Sequence, residues 1–190
     1  MKNTIAFDFF GVICSEVAPV WFARYFPKED IKRVKDEYIR PADTGEISTN
    51  ELFATLARLT GKNTDDIAKE WFDLAVVDTQ VVSEIQLLRN TFNIALLSNA
   101  PSEFIRTILT NNNLGELFSN IIISSEIHEA KPDLAFFQKA LEILGSTPEE
   151  IVFFDDNPVN IQAASSLGIQ SFVYKDIKSL NSIMDKNPIC

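Results

Sequence analysis

The stretch TIAFDFFGVIC, Thr4 to Cys14, decides how this chain is read. Thr4 to Phe10 is a short run of β-branched and aromatic residues closed by Gly11, the pattern of a buried strand that runs into a turn. One carboxylate, Asp8, interrupts it near the end. A lone aspartate there has a plain structural use as a cap on the following turn, so its meaning depends on what other residues the fold brings to the same place.

Two further apolar runs, Ile94 to Leu97 and Ile151 to Phe154, have the same character, with Ile121 to Ile123 and Ser171 to Tyr174 as weaker members. Helical patterns lie between them. Leu134, Phe137, Leu141 and Leu144 keep a 3.6-residue period, with Gly145 where a C-terminal cap glycine belongs. A second helix is predicted from Val159 to Leu167, stopping at Gly168. Strands alternating with helices imply parallel βαβ units with helices on both faces of the sheet, an α/β fold.

Residues 15–79 differ, for they show helical patterns without a strand. Pro27 to Ile39 is charged and periodic. Ser48-Thr49-Asn50-Glu51 is a capping box ahead of Leu52, Phe53, Leu56 and Leu59, and Gly61 supplies the stop. Asn63-Thr64-Asp65-Asp66 opens another amphipathic helix through Trp71. The division predicted is a core of residues 1–14 and 80–190 with a small helical domain, residues 15–79, inserted after the first strand. Trp21, Phe22, Tyr25 and Phe26 have the spacing of residues packed inside such a domain, in preference to stacking on a substrate ring. The tail Asp185 to Cys190 is expected to be loose.

At 190 residues and 46% hydrophobic composition the chain can bury one sizeable core. Its 27 acidic against 17 basic residues give a formal charge of -10, a field that repels nucleic-acid backbones and anionic membrane surfaces. Two cysteines, Cys14 and Cys190, make no disulfide framework and are read as free thiols, Cys14 as a small buried residue. No long apolar run or leader-like start occurs, so a soluble cytoplasmic protein is expected.

In an open parallel sheet ligands bind at the carboxyl ends of the strands. Asp8 lies near the end of the first strand, Ser98 follows Ile94 to Leu97, and Asp155-Asp156 follow Ile151 to Phe154. All three strands therefore deliver polar groups to one edge. Asp8-Phe9-Phe10-Gly11, Ser98 in LLSNA, Lys131 in EAKPDLAFF, and Asp155-Asp156 with Asn160 in FFDDNPVN stand in an order that resembles the haloacid dehalogenase-like (HAD) hydrolases. The resemblance covers nearly the whole chain. It implies a Rossmann-like core, and GEISTNELF, Gly45 to Phe53, is similar to the helical cap of the branch that holds sugar-1-phosphate phosphatases and the N-terminal domains of bifunctional epoxide hydrolases.

A carboxylate with an unperturbed pKa of about 3.9 is already ionised at neutral pH, so Asp8 can attack phosphorus or carbon without a base. Magnesium suits hard oxygen ligands, and the resemblance implies Mg2+ between Asp8, Asp155 and the main-chain carbonyl of Phe10. Asp156 is expected to hold a metal-bound water or Lys131, with Asn160 nearby. Lys131 would counter the charge of Asp8 and of the transferring phosphoryl group, while the Ser98 hydroxyl and the Asn99 backbone amide would bind its oxygens. The partner implied is a small phosphorylated molecule.

Most HAD phosphatases carry a second aspartate where this chain has Phe10. A phenyl ring cannot move a proton, and general acid-base assistance is typically worth roughly 10²- to 10⁴-fold. Three readings stay open. The enzyme is a phosphatase, possible sugar phosphates included, whose leaving group is good or whose acid comes from the cap or a water. Alternatively it is a 2-haloacid dehalogenase, which needs neither leaving-group proton nor metal, although Asp155-Asp156 argues for one. In the third the site is impaired and the domain binds or regulates. His128, close to Lys131 in sequence, is either a solvated loop residue or a contact for phosphate or a sugar hydroxyl.

Overall fold

A computed structural model describes residues 4–186. The apolar runs become five strands: β1 (Thr4–Phe7), β2 (Asn93–Ser98), β3 (Asn120–Ile123), β4 (Ile151–Asp155) and β5 (Gln170–Val173). All pair in parallel, in the order β3-β2-β1-β4-β5. Central β1 has the same four residues in register with Asn93–Leu96 on one side and Ile151–Phe154 on the other. The carboxyl ends of β1, β2 and β4 therefore meet at one edge, where strand order reverses.

The first strand is shorter than the run Thr4 to Phe10. The Asp8 amide still donates to the Phe154 carbonyl at 2.8 Å, but the Phe9 carbonyl accepts the amides of Ile13 and Cys14, both at 2.8 Å, and this turns the chain away from the sheet. Aromatic β-propensity carried the sequence reading three residues too far, because a turn built on one carbonyl leaves no mark in composition.

Alternation of side chains along the strands divides the interior into two layers. Ala6, Ala95, Leu97, Ile151 and Phe153 face one side, against helices Leu134–Leu144 and Pro158–Ser166. Ile5, Phe7, Ile94, Leu96, Val152 and Phe154 face the other, against helices Thr79–Leu88 and Ser102–Asn111. The helix Leu134–Leu144 forms where its period predicts, with Gly145 left-handed at its end, yet rotated: Leu134 is 44% exposed while Phe136, Phe137 and Ala140 are buried. Two adjacent phenyl rings remove more apolar surface from water than one leucine, and they take the sheet contact.

Between β1 and the helix Thr79–Leu88 every named element is helical: α1 (Ala18–Tyr25), α2 (Lys28–Val34), a π-helical turn (Lys35–Ile39), α3 (Arg40–Asp43), α4 (Thr49–Thr60) and α5 (Thr64–Leu74). The capping box forms as read, with the Glu51 amide donating to Ser48 Oγ at 3.2 Å and the Ser48 amide to Glu51 Oε2 at 2.8 Å. The helical path does not stop at Ile39. Pro41 has no N–H to return to the previous turn, and the wider turn ahead of it, with the Arg40 amide bonded to the Lys35 carbonyl, accommodates its ring. Trp21, Phe22, Leu52, Phe53 and Trp71 share one hydrophobic cluster with Ile5 and Phe7 of the sheet. Phe104 joins them, its ring 5.6 Å from Trp71 and 6.1 Å from Phe53. Of the four early aromatics, Trp21 and Phe22 are fully buried.

Glu70 ties this insertion together. Its carboxylate accepts Trp21 Nε1 at 2.7 Å, the Tyr25 hydroxyl at 2.8 Å and Lys62 Nζ at 2.8 Å. The hydrogen bond from Lys62, helped by those from Tyr25 and Trp21, lowers its pKa to about 2. A depressed carboxyl contributes stability above its unfolded pKa of about 4.5 and loses it as pH falls towards 2. Glu70→Ala leaves the indole N–H of buried Trp21 without an acceptor, a cost of roughly 1–3 kcal/mol. Tryptophan-fluorescence melts from pH 7 to 2.5 are expected to show a lower midpoint for the variant, the gap narrowing in acid. A gap that does not change with pH would disprove the ionic role.

The last helix, Ile177–Lys186, includes two positions of the tail expected to be loose, while 187–190, with Cys190, lie outside the described residues. Among the described residues no helix is long and apolar enough to cross a membrane.

Candidate active site

The sheet edge collects charge that the rest of the interior excludes. Asp8, Lys131 and Asp155 are all buried. Lys131 lies between the short helix Ser124–Ile127 and the helix Leu134–Leu144, and its backbone is clamped twice by Asn99. Its amide donates to Asn99 Oδ1 and its carbonyl accepts Asn99 Nδ2, each at 2.8 Å. So held, Lys131 Nζ reaches Asp8 Oδ1 at 2.9 Å and Asp155 Oδ2 at 2.7 Å. Asp155 is held further by Asn160 Nδ2, 3.0 and 2.9 Å from its two oxygens, and by the Asn157 amide at 2.8 Å. The Phe9 amide, 2.6 Å from Asp8 Oδ1, fixes the first carboxylate.

Burial alone would pull the Lys131 pKa down, but Asp8 and Asp155 outweigh it and hold the lysine as ammonium. Burial pushes the Asp8 carboxyl well up, opposed by Lys131 and reinforced by Asp155. Asp156, half-buried, is also raised, by burial and then by Asp155. Three carboxyl groups thus face one ammonium.

Oxygens of Asp8, Asp155 and Asp156 lie within 4.8 Å of one another. Three hard oxygen donors with an excess of negative charge fit magnesium better than a softer metal. Gly11 makes the cluster possible: at φ +81° it occupies backbone space closed to most side chains, and a Cβ there would lie 2.5 Å from the Asp156 carboxyl carbon. The Phe10 main-chain carbonyl accepts no hydrogen bond from the described residues and is free to bind an ion.

A cavity of about 300 Å³ opens beside this cluster, walled by Asp8, Phe10, Asn99 and Lys131 from the sheet edge and by Arg40 and Asp43 from the insertion. Asp156 and Asn160 also reach it. Ser98 and Asp155 are fully buried and are not on its wall. The Ser98 hydroxyl has no hydrogen-bond partner among the described residues. The Phe10 ring stacks on Phe104 at 5.9 Å and meets Phe9 edge-on at 5.0 Å, so the position of the absent acid belongs to the aromatic cluster. Asp156 makes no hydrogen bond to Lys131, whose ammonium bonds Asp8 and Asp155 instead. Glu16 also lies near Asp156, whose charge adds to burial in raising the Glu16 pKa.

Contacts between the insertion and the Lys131 loop were not visible in the sequence. Arg40 forms an ion pair with Asp133 at 2.6 Å. His128 is exposed, as the solvated-loop reading expects, and its Nδ1 also lies 2.9 Å from the Thr44 carbonyl of the insertion; it is not on the cavity wall. Gly45, at φ +75°, packs so closely that a Cβ would clash with the Ser125 carbonyl oxygen. Cys14 is buried as expected, and burial pushes its thiol up to about 12, which keeps it unreactive. Asp43 and Glu16, both on the cavity wall, were missed as site residues. The only signal near Asp43 was the adjoining GEISTNELF.

A family model for haloacid dehalogenase-like hydrolases matches residues 2–168. Phosphoglycolate phosphatase of Pseudomonas putida is 30% identical over 106 residues, 55% of this chain and 39% of that protein. (S)-2-haloacid dehalogenase 1 of Pseudomonas sp. (strain CBS-3) is 26% identical over 167 residues, covering 85% of this chain and 71% of the relative. The chain spans less than half the length of the phosphatase relatives it matches. A HAD family enzyme of Bacteroides thetaiotaomicron, solved with magnesium and inorganic phosphate, has the same fold, with a TM-score of 0.79 at 23% identity over 95% of this chain and 99% of that one.

Proposed function

The chain belongs to the haloacid dehalogenase-like hydrolases, and we propose that within this family it is a magnesium-dependent phosphatase of small phosphorylated metabolites, sugar phosphates among them, that works through an aspartyl-phosphate on Asp8. The observation that carries this reading is a buried carboxylate on a cavity wall, 2.9 Å from an ammonium group and clustered with two further carboxylates. The phosphatase relatives and the magnesium and phosphate of the Bacteroides thetaiotaomicron enzyme agree with it.

Asp8 attacks phosphorus in line, and the Asp8–phosphorus bond forms as the bond to the leaving oxygen breaks. Lys131 holds Asp8 in position and draws charge from the phosphoryl oxygens. The Ser98 hydroxyl and the Asn99 amide donate to those oxygens, which gives the unpartnered hydroxyl its acceptor. Asn160 and the Asn157 amide fix the orientation of the Asp155 carboxylate beside Asp8. Magnesium, held by Asp8, Asp155 and the Phe10 carbonyl with Asp156 beside it, would supply Lewis-acid charge to the phosphoryl group. The helical insertion closes the cavity and sets specificity.

A second reading, displacement of halide from a 2-haloacid by Asp8, is favoured by the match to (S)-2-haloacid dehalogenase 1 and by the aromatic Phe10. The three-carboxylate cluster counts against it, since halide departure needs no metal. The deciding experiment compares p-nitrophenyl phosphate, sugar 1-phosphates and 2-chloropropionate, with magnesium and with chelator. Chelator-sensitive release of phosphate is the expected outcome. Chelator-insensitive release of chloride would replace the first reading by the second, and inertness towards all three would end both. Magnesium is also expected to raise the melting temperature, and Asp155→Asn to remove that rise.

A further inference from the structure

Phe10 removes the proton donor from the nucleophile loop, and the insertion brings another carboxyl group to the same cavity. Asp43 ends α3, directly after the π-helical turn, and shares the cavity wall with Asp8, Phe10 and Lys131. It is half-buried. No described residue hydrogen-bonds to its carboxyl group or pairs with it as an ion, although Arg40 on the same short helix is paired with Asp133. Its wall neighbour Glu16 lies near Asp156 of the carboxylate cluster, and burial, then the charge of Asp156, raises its pKa. A half-buried carboxyl group left without a partner, facing a cavity that already holds a nucleophile, needs an explanation that packing does not provide.

We propose that Asp43 is the general acid and base of the Asp8 site, reaching in from the helical insertion to do what Phe10 cannot. This rests on the phosphatase reading. In the first half-reaction an Asp8 oxygen bonds to phosphorus, the bond to the substrate oxygen breaks with its electron pair on that oxygen, and the Asp43 proton passes to it, so an alcohol departs. In the second, a water oxygen bonds to phosphorus while Asp43 takes one of its protons. The Asp8–phosphorus bond breaks, inorganic phosphate leaves, and both carboxyl groups return to their starting states.

The electrostatics agree with the role. Burial raises the Asp43 pKa to about 7, against the pull of Lys131 from the core, Arg40 from its own helix and Lys35 from the π-helical turn. An acid that titrates near neutrality has its proton available and can take it back.

The test compares two probes, glycerol 2-phosphate, whose alkoxide leaves poorly, and p-nitrophenyl phosphate, whose phenolate leaves without help. Asp43→Asn is expected to lower kcat/KM for glycerol 2-phosphate by about 10²- to 10⁴-fold, and for the aryl ester by less than about tenfold. The wild-type rate on glycerol 2-phosphate falls as pH rises through about 7, because the acid must be protonated, and that fall disappears in Asp43→Asn. Asp43→Glu recovers part of the rate, and Asp43→Ser repeats the comparison should the asparagine variant fold poorly. Equal losses on both probes, no loss on either, or a wild type active on the aryl ester alone would overturn the assignment of Asp43 and leave the phosphatase reading standing. A wild type inert towards both phosphates would defeat the two together.

Discussion

Replacing Asp8 by asparagine is expected to lower turnover on the order of 10⁶-fold, the size of effect that follows deletion of a covalent nucleophile, and to leave the melting temperature at or above that of the wild type. The two halves have one cause. Asparagine nearly matches aspartate in shape, and its amide oxygen can still accept the Phe9 amide that now bonds Asp8 at 2.6 Å. What it lacks is a negative oxygen able to bond to phosphorus. The wild-type carboxyl group is raised by burial, so keeping it ionised in the folded state costs stability at every pH above its unfolded value, and the neutral side chain removes that cost. Steady-state kinetics on p-nitrophenyl phosphate and a thermal melt at pH 7.5 check both. Appreciable turnover in Asp8→Asn would remove the aspartyl-phosphate from consideration, and a melting temperature well below wild type would show that the charged form stabilises the fold.

Lys131→Met is expected to act in the opposite sense on stability. Lys131 Nζ bonds Asp8 and Asp155 with its side chain only 1% exposed. Methionine fills a similar volume but leaves two buried carboxylates facing each other, and breaking a buried ion pair from one side typically costs about 3–5 kcal/mol. For a chain of this length that corresponds to a fall in melting temperature of roughly 6–20 °C. The deficit should shrink in acid. Without the ammonium the Asp8 carboxyl, already raised by burial, rises further, so the variant regains stability as pH falls and that group takes up its proton, and loses it as pH rises. Turnover falls as well, since Lys131 no longer positions Asp8. A variant that melts like the wild type at pH 7.5 would mean that water or rearrangement already neutralises the pair.

The contrast between these two variants separates what could be read early from what could not. Asp8, Ser98 and Asp155 could be placed at one edge from sequence because a parallel sheet obeys one positional rule: whatever follows each strand arrives at the same edge, however distant in the chain. Lys131 follows no strand directly and was singled out only by the resemblance. The capping box at Ser48 and the stop at Gly61 were equally legible, since each is an interaction between residues a few positions apart. The stripe of the helix Leu134–Leu144 held for Phe137, Leu141 and Leu144, which pack on the core, but not for Leu134, whose place Phe136 takes, because period alone does not fix the edge of the buried face. Asp43 and Glu16 went unnoticed for a different reason. Nothing local marks them, and their importance arises only where the insertion meets the sheet edge.

The sequence by itself determined the α/β architecture and the order along the chain of the strand-end polar residues, and through the resemblance of those motifs it pointed to the family, because hydrophobic period, turn residues and strand-end motifs are local properties that survive without a partner. Tertiary structure alone decided that Gly11 must be glycine for the Asp156 carboxylate to fit, that His128 meets Thr44, and that Arg40 grips Asp133 across 93 positions of chain. It also decided that a carboxyl group of the insertion faces the nucleophile's cavity. Such contacts depend on how the insertion packs through Trp71 and Phe104 against the sheet, and packing is a collective minimum over many side chains with no short-range pattern to announce it.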